Sequence, residues 1–374
     1  MTDRSAGMSL LSRIAVIGGA VTCFLGAFEL TARVEDLVQY GVPIRSPFNA
    51  TSELLVRSAD GMHGRRSAAF QKWRMNSLGF RGPEVDSAKA PGRLRVITAG
   101  ASETFGLYEA PGKEWPRQLE DSLRRRLAGS ACGRDGVEVW NAAFAGMSLP
   151  TIRQDIERRL VRFSPDVIVV YPSPAFYLMA KLPDTARPDS SGTEAVPPIW
   201  SPRVWPRVRD QLKTLVPEVL ASRLRQRRID RVKRQAQVEF SAVPADRSDA
   251  FVAELQRIGR AIEAVGAVPV LATHGNDFGF GTPRPPSKAQ MIAWQRFHPL
   301  ASGPVLVEFD AVARAGTLAL GDSLGWRVAD VATAVAASPE PVFADYAHFN
   351  DHGAAIAAGV VANEVIAAVG DRCR

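Results

Sequence analysis

A serine hydroxyl becomes a nucleophile only when a neighbouring base takes its proton, and that base acts best when a third group fixes its tautomer. Three residues of this chain have the types and places for such an arrangement. Ser102 stands in GASETFG (100–106), directly after a β-branched run, on a glycine-flanked turn that would present its hydroxyl beside free main-chain N–H groups. Asp345 and His348 stand three residues apart in FADYAHFNDHG (343–353), close enough for the carboxylate to orient the imidazole within one loop. Alone, Ser102 would be read as the cap of the helix that follows, a common role for serine. Joined to Asp345 and His348, it reads as a nucleophile with its base and the partner of that base.

The elements that must position these residues form an α/β alternation. Strands are expected at 94–100, 137–146, 166–171, 268–273 and 326–331, and helices at 115–127, 151–163, 249–265, 305–320 and 351–369. Such alternation predicts a parallel sheet covered by helices, and ligands of open α/β sheets bind at the carboxyl ends of the strands. Ser102 and the 343–353 loop belong at that end. A Pro-rich stretch (172–202) interrupts the rhythm, and a basic segment follows it. There Trp205, Val208, Leu212, Leu215, Val219 and Leu220 recur at helical steps, with Pro217 placed to start a second helix. An inserted helical pair over about 203–240 is therefore expected. The domain reading is a cytoplasmic tip and membrane anchor (1–33), an irregular, polar stalk and covering segment (34–92), and one α/β domain (93–374).

The 374 residues are 46% hydrophobic and 23% charged, with 30 Gly and 26 Pro, which excludes a coiled coil, collagen or a wholly disordered chain. The net charge of +7 is local: residues 203–234 hold eleven Lys and Arg against Asp210, Glu218 and Asp230, a segment charge of +8 that leaves the rest at −1. Basicity is thus a property of one segment. It reads either as a solvated helix face or as a contact for anionic lipid or an acidic glycan. Nucleic acid is not an expected partner.

Residues 8–28 carry one charge, Arg13. The run approaches the roughly 20 apolar residues of a membrane span, and the sequence after it, Glu29 to Arg33, lacks a small-residue cleavage pattern. An uncleaved anchor is expected. Arg4 and Arg13 before the run, with Glu35 and Asp36 after it, put the body outside the cytoplasm by the positive-inside rule. For a bacterial cell this means a single pass through the inner membrane with the domain in the periplasm. Cys23 lacks the context of a lipidation site. Cys132 and Cys373 follow predicted helices that can end near each other opposite the site, and stand either as a disulfide or as two separate thiols.

The Gly-x-Ser turn followed by Thr-Phe-Gly, together with the late Asp-x-x-His, resembles the SGNH or GDSL hydrolase superfamily from about residue 93 to the C-terminus. NSLGFRG (76–82) is similar to a segment that precedes the domain in membrane-anchored bacterial members. The resemblance implies a flavodoxin-like three-layer αβα sandwich around a five-stranded parallel sheet, and no cofactor or metal. It implies Ser102 as nucleophile, His348 as base, Asp345 as its partner, and the N–H groups of Ser102 and Gly146 as the oxyanion site. Asn141 and Ser173 are expected to touch substrate. The implied function is ester hydrolysis on O-acyl groups, with acetyl as the specific expectation, of a cell-envelope or exported polysaccharide. O-acyl transfer onto glycan and a non-catalytic glycan-binding or partner subunit are the alternatives.

Two departures bear on this. Ala101 replaces the usual Asp of the first block, and YPSPAFY (171–177) lacks the third-block Asn that donates to the oxyanion. Loss of one such donor costs about 10²- to 10³-fold in rate. Either Ser173 or a main-chain group substitutes, or the enzyme is slow, or the chain does not catalyse. The tripeptide GDS (321–323) follows a helix and precedes a strand, and is read as a turn on the wrong side of the sheet. GND (275–277) follows the fourth strand, where an oxyanion role is not expected. His348 and His352 lack a third ligand, so no metal site is read, and Asn350 or Asp351 between them is expected to cap a helix. Tyr108, Trp115 and Phe176 are candidates for a pocket lining, or plain packing.

Overall fold

The computed structural model describes residues 9–58, 60–132, 136–185, 196, 198, 201–236, 238–278 and 287–370. The chain enters in α1 (Leu10–Tyr40), capped by Ser9, whose hydroxyl accepts from Ser12 N at 3.2 Å. The helix is long and apolar enough to cross a membrane, and its apolar stretch is exposed along its whole length. It does not stop where an irregular stalk was expected. No Gly or Pro interrupts residues 29–40, and the helix ends only at Gly41, in the left-handed conformation (φ 65°) just before Val42-Pro43. In this last part Ala32, Arg33 and Asp36 are buried against the body.

The covering segment is likewise ordered. Two small hairpins, β1 (Leu55–Ser58) with β2 (Gly61–Gly64) and β3 (Ala69–Phe70) with β4 (Trp73–Arg74), carry it across the domain. Phe48, Leu54, Met75 and Phe80 belong to the main core, so these residues are built into the body rather than laid over it.

The α/β part then follows: β5 (Leu94–Gly100), α2 (Ser102–Phe105), α3 (Trp115–Arg126), β6 (Val137–Asn141), α4 (Leu149–Arg158) and β7 (Val167–Tyr171). The insertion forms α5 (Val204–Thr214) and α6 (Glu218–Ala236), after which come α7 (Ala245–Ala264), β8 (Val268–Ala272), α8 (Lys288–Gln295) and α9 (Gly303–Leu324). The chain closes with β9 (Arg327–Ala329), α10 (Val331–Ala336) and α11 (Asp351–Val369). The five long-chain strands pair in parallel in the order β6-β5-β7-β8-β9, the flavodoxin-like arrangement.

The sheet is buried on both faces, and side chains alternate between them. Ile97, Ile168, Val170 and Leu271 pack with α4, α7 and α9; Val96, Val167, Val169 and Val270 pack with α3 and α11. Each fully buried aliphatic side chain of α7, such as Leu255, Ile258 and Ile262, stabilises the layer by roughly 1.5–3 kcal/mol. The apolar character of α11 is that of a core helix, since Val361 and Val365 lie under the sheet.

The structure differs from expectation at three places, two of them with a clear physical cause. The last strand is cut to Arg327–Ala329 because Asp330 begins α10 and ties it to Thr273 and Arg314. The GDS residues are not a turn but the last turns of α9, where Gly321 lets the helix touch β9: a Cβ there would meet Val328 Cγ2 at 2.2 Å. Residues 160–163 leave the α-helical path as a separate 3₁₀ turn after α4. Cys23 is an exposed free thiol on α1, while Cys132 is disulfide-bonded. Cys373 lies outside the described residues, as does part of the Pro-rich stretch.

Candidate active site

The first wall of the site is the turn out of β5. Only glycine fits at position 100, where a Cβ would meet Thr104 Oγ1 at 2.2 Å and Tyr171 O at 2.9 Å. Ala101 holds the cap position of α2 without a side-chain bond, and Ser102 is the first helical residue. The capping role of Ser102 is therefore excluded. Its hydroxyl donates to Glu103 Oε2 at 3.3 Å. The turn is clamped from outside by the NSLGFRG segment: buried Arg81 donates from Nη1 to Gly106 O at 2.5 Å and lies 4.9 Å over the Phe105 ring. Asn76 shapes that segment by accepting from Leu78 N and Phe80 N at 3.0 Å.

The second wall is the loop before α11. His348 Nδ1 lies 2.8 Å from Asp345 Oδ2 and 2.9 Å from Oδ1, and Asp345 Oδ1 also accepts the main-chain N–H groups of Ala347 and His348. The carboxylate thereby holds the proton on Nδ1 and leaves Nε2 as the basic nitrogen. That Nε2 is buried and has no hydrogen-bond partner among the described residues. Burial works against the imidazolium of His348, but the Asp345 hydrogen bond and the charges of Glu103, Asp345 and Glu109 outweigh it and raise the pKa above the ordinary histidine value. Burial alone would raise the Asp345 carboxyl, yet the bonds and charge of His348 and the two N–H donors pull it below its usual range. Asn350 caps α11 by accepting from Gly353 N at 2.9 Å, as expected of that loop.

Both walls face one cavity of about 510 Å³ at the carboxyl end of the sheet, beside the β5/β7 switch point where ligands of this topology bind. Ser102, Gly146, Ser173, Asp345 and His348 all line it, as do Tyr108 and Phe176. Gly146 adopts φ +87°, and neither its N–H nor that of Ser102 has an acceptor among the described residues. Ser102 Oγ is bonded to Glu103, and no hydrogen bond joins it to His348.

Two expected contacts are not made. Asn141 is buried away from the cavity, with Nδ2 donating to Thr104 O at 2.8 Å and Oδ1 accepting from Ala143 N at 3.0 Å. It shapes the β6 exit and does not touch the space a substrate would fill. Trp115 is fully buried in the core between α3 and the sheet. Asn276 of the GND tripeptide donates to Asp310 Oδ2 at 2.6 Å, and Ser173 donates to Glu103 at 3.1 Å, so both polar groups have protein partners. Among the described residues no His, Cys, Asp and Glu cluster suits a metal ion.

Sequence reasoning missed a second set of charges behind Ser102. Glu103, though next to Ser102, is only 6% exposed, and it faces His274, two residues beyond the end of β8. His274 Nε2 donates to Glu103 Oε1 at 3.4 Å, and Nδ1 donates to Asp310 Oδ2 at 2.8 Å. Burial alone would raise Glu103, but the hydrogen bond and charge of His274 hold it at about 2. Burial alone would lower His274, but Asp310 and Glu103 push it up to about 10. Glu103 therefore stands as a carboxylate against the His274 imidazolium, whose other nitrogen is tied to Asp310. A further histidine on the cavity, His298, is neutral because burial pushes it down to about 4. The signal that could have found His274 is the carboxyl-end rule, since it lies two residues past β8, but its partner Asp310 lies in the middle of α9 and carries no motif. Arg225 of α6 and Arg296 complete the lining with two cations.

No family model matches the chain, and no curated protein matches it in sequence. Solved structures resemble it distantly. An acetylxylan esterase from Geobacillus stearothermophilus has a TM-score of 0.42 at 10% identity, over 73% of this chain and 94% of that one. A lipase/acylhydrolase from Enterococcus faecalis has 0.41 at 12%, over 75% and 97%, and a lipolytic protein of the G-D-S-L family from Veillonella parvula has 0.40 at 12%, over 72% and 97%.

Proposed function

We propose that the chain is a serine esterase of the SGNH type. One observation carries the reading: Asp345 fixes His348 on the same cavity as Ser102, and among the described residues its buried Nε2 and the N–H groups of Ser102 and Gly146 have no partner. In the reaction, Ser102 Oγ bonds to the ester carbonyl carbon while its proton passes to His348 Nε2. The developing oxyanion is held by the N–H groups of Ser102 and Gly146, and His348 returns the proton to the departing alcohol. Water then enters by the same route, and the acid leaves. Ser102 must turn from Glu103 to His348 when substrate binds; such bonds often tighten only in the complex. The substrate class is an O-acyl ester, with acetyl groups on an envelope or exported glycan as the specific expectation. The domain is held by α1 as an uncleaved inner-membrane anchor, with its body in the periplasm; the exposed apolar helix and Arg13 on its N-terminal side support this.

The test is turnover of a short-chain chromogenic ester by the full chain, with and without a serine-directed phosphonate. Hydrolysis blocked by labelling at Ser102 is the expected result. A second reading, a non-catalytic binding subunit of the same fold, is favoured by the bond that holds Ser102 on Glu103. Failure of well-folded protein to react with the phosphonate would select it. Addition of oligosaccharide acceptors to an active enzyme separates hydrolysis from acyl transfer.

A further inference from the structure

The insertion is pinned to the foot of α1 by buried charges. Glu29 Oε2 accepts from Arg203 N at 2.7 Å and Val204 N at 3.1 Å, at the start of α5, and Arg203 Nη1 lies 2.9 Å from Asp36 Oδ2, both side chains 1% exposed. Leu10 to Phe28 rise about 28 Å as a helix, close to the hydrocarbon thickness of a bilayer. Glu29 therefore stands at the level where the span meets the headgroups, and α5 leaves from that level.

From there the insertion presents a large apolar surface that none of the described residues covers. Trp205 is 67% exposed, Leu215 75% and Val219 66%, and Leu212, Leu220 and Leu224 are exposed beside them. On α6 the outer face changes character along its length: Leu220 and Leu224 are followed by Arg227, Arg231 and Arg234, all within about 80° of each other around the helix. Arg223 flanks the same face. None of these four arginines forms an ion pair among the described residues. The opposite face is the structural one, with Ile229 in the body and Arg225 on the catalytic cavity.

We propose that α5 and α6 lie on the membrane as an interfacial helical pair, with Trp205 and the leucines at the acyl boundary and the outer arginines on anionic headgroups. Continuity with α1 and charge complementarity select lipid over a glycan: an exposed Trp and leucine stripe suits an acyl boundary, and arginines beside it suit phosphates. A solvated helix would instead present charge all along its outer face. The docked pair holds the cavity wall carrying Arg225 at the lipid surface. The inference rests on the reading of α1 as a membrane span, and the experiment separates the two.

The experiment uses the full chain reconstituted in phosphatidylcholine vesicles with and without phosphatidylglycerol. An environment-sensitive fluorophore is placed on native Cys23, or on Leu220→Cys in a Cys23→Ser background. Quenching of the Cys23 probe by spin-labelled lipid reports the span itself. The expected result is that the Leu220→Cys probe is also lipid-quenched and shielded from aqueous iodide. Replacing Arg223, Arg227, Arg231 and Arg234 by Gln should lower the docked-to-undocked ratio about fivefold per arginine on anionic vesicles, and much less on neutral ones. A Cys23 probe in lipid with the Leu220→Cys probe open to iodide would overturn the docking and leave the anchor intact. Shielding of Leu220→Cys by a soluble polyuronate but not by vesicles would overturn it in favour of a glycan face.

Discussion

His274 Nε2 donates to Glu103 Oε1 across 171 residues of sequence, and places a buried imidazolium behind the residue that follows Ser102. This bond gives Glu103 a fixed negative charge, on which the Ser102 and Ser173 hydroxyls both rest. Glu103 thus holds the Ser102 hydroxyl in its resting place, and its charge is one of those that raise the pKa of His348.

Removing either proposed catalytic group should abolish ester turnover. Ser102→Ala and His348→Ala are each expected to lower kcat by about 10³-fold or more, and the double variant should be no worse than either single one, since groups acting as a unit are not additive. Steady-state kinetics on a short-chain ester with all three variants checks this; equal activity of Ser102→Ala and wild type would refute the nucleophile.

The pH profile should report His348. The base must be neutral to take a proton, so kcat/KM is expected to rise with pH through a midpoint above the ordinary histidine value, because Asp345 and Glu103 outweigh burial. Removing a negative charge shifts that midpoint down. Glu103→Gln should therefore move the acid limb to lower pH even where kcat falls, a response that a purely structural role would not produce.

The buried Glu103–His274 pair makes a separate prediction about stability. Glu103 has a depressed pKa of about 2, so its contribution is present above its unfolded value and lost as pH falls through about 2. His274 is raised to about 10, so its contribution is complete below its unfolded value of 6.5 and lost as pH rises through about 10. The pair is worth most in mildly acidic solution. His274→Leu leaves Glu103 and Asp310 uncompensated, at a cost of about 3–5 kcal/mol; denaturant melts across pH should show the difference shrinking above neutrality.

The oxyanion assignment divides two positions. Ser173 is committed to Glu103, so Ser173→Ala should change kcat by less than the loss of about 10²- to 10³-fold expected for an oxyanion donor. Gly146→Ala meets no neighbouring atom within 4 Å, yet it forces a side chain into φ +87°, a strain of roughly 1–2 kcal/mol that would be relieved by turning the N–H away. A fall in kcat at nearly unchanged KM is the expected signature. A large effect at Ser173 with none at Gly146 would transfer the role.

Much of this protein was legible in its sequence because the relevant physics is local. A strand buried on both faces must be a short β-branched run, as at Val167–Tyr171. A chain leaving such a strand over Gly100 must turn sharply, and residues three apart in one loop, Asp345 and His348, can meet without help from the rest of the fold. The parallel sheet, the inserted helical pair and the apolar first helix follow from features of this kind, whereas Gly146 and Ser173 entered only through the family resemblance. What only the tertiary structure decided involves polar groups whose partners are far along the chain. Asn141 turns inward because Thr104 O needs its donor, and Ser173 is occupied because Glu103 is buried beside it. Glu103, His274 and Asp310 pair because a buried charge is tolerated only opposite another, and which charges meet is set by how the ends of β5 and β8 and the middle of α9 pack. A sequence states which groups must find partners; the packing of the elements determines which partners they find.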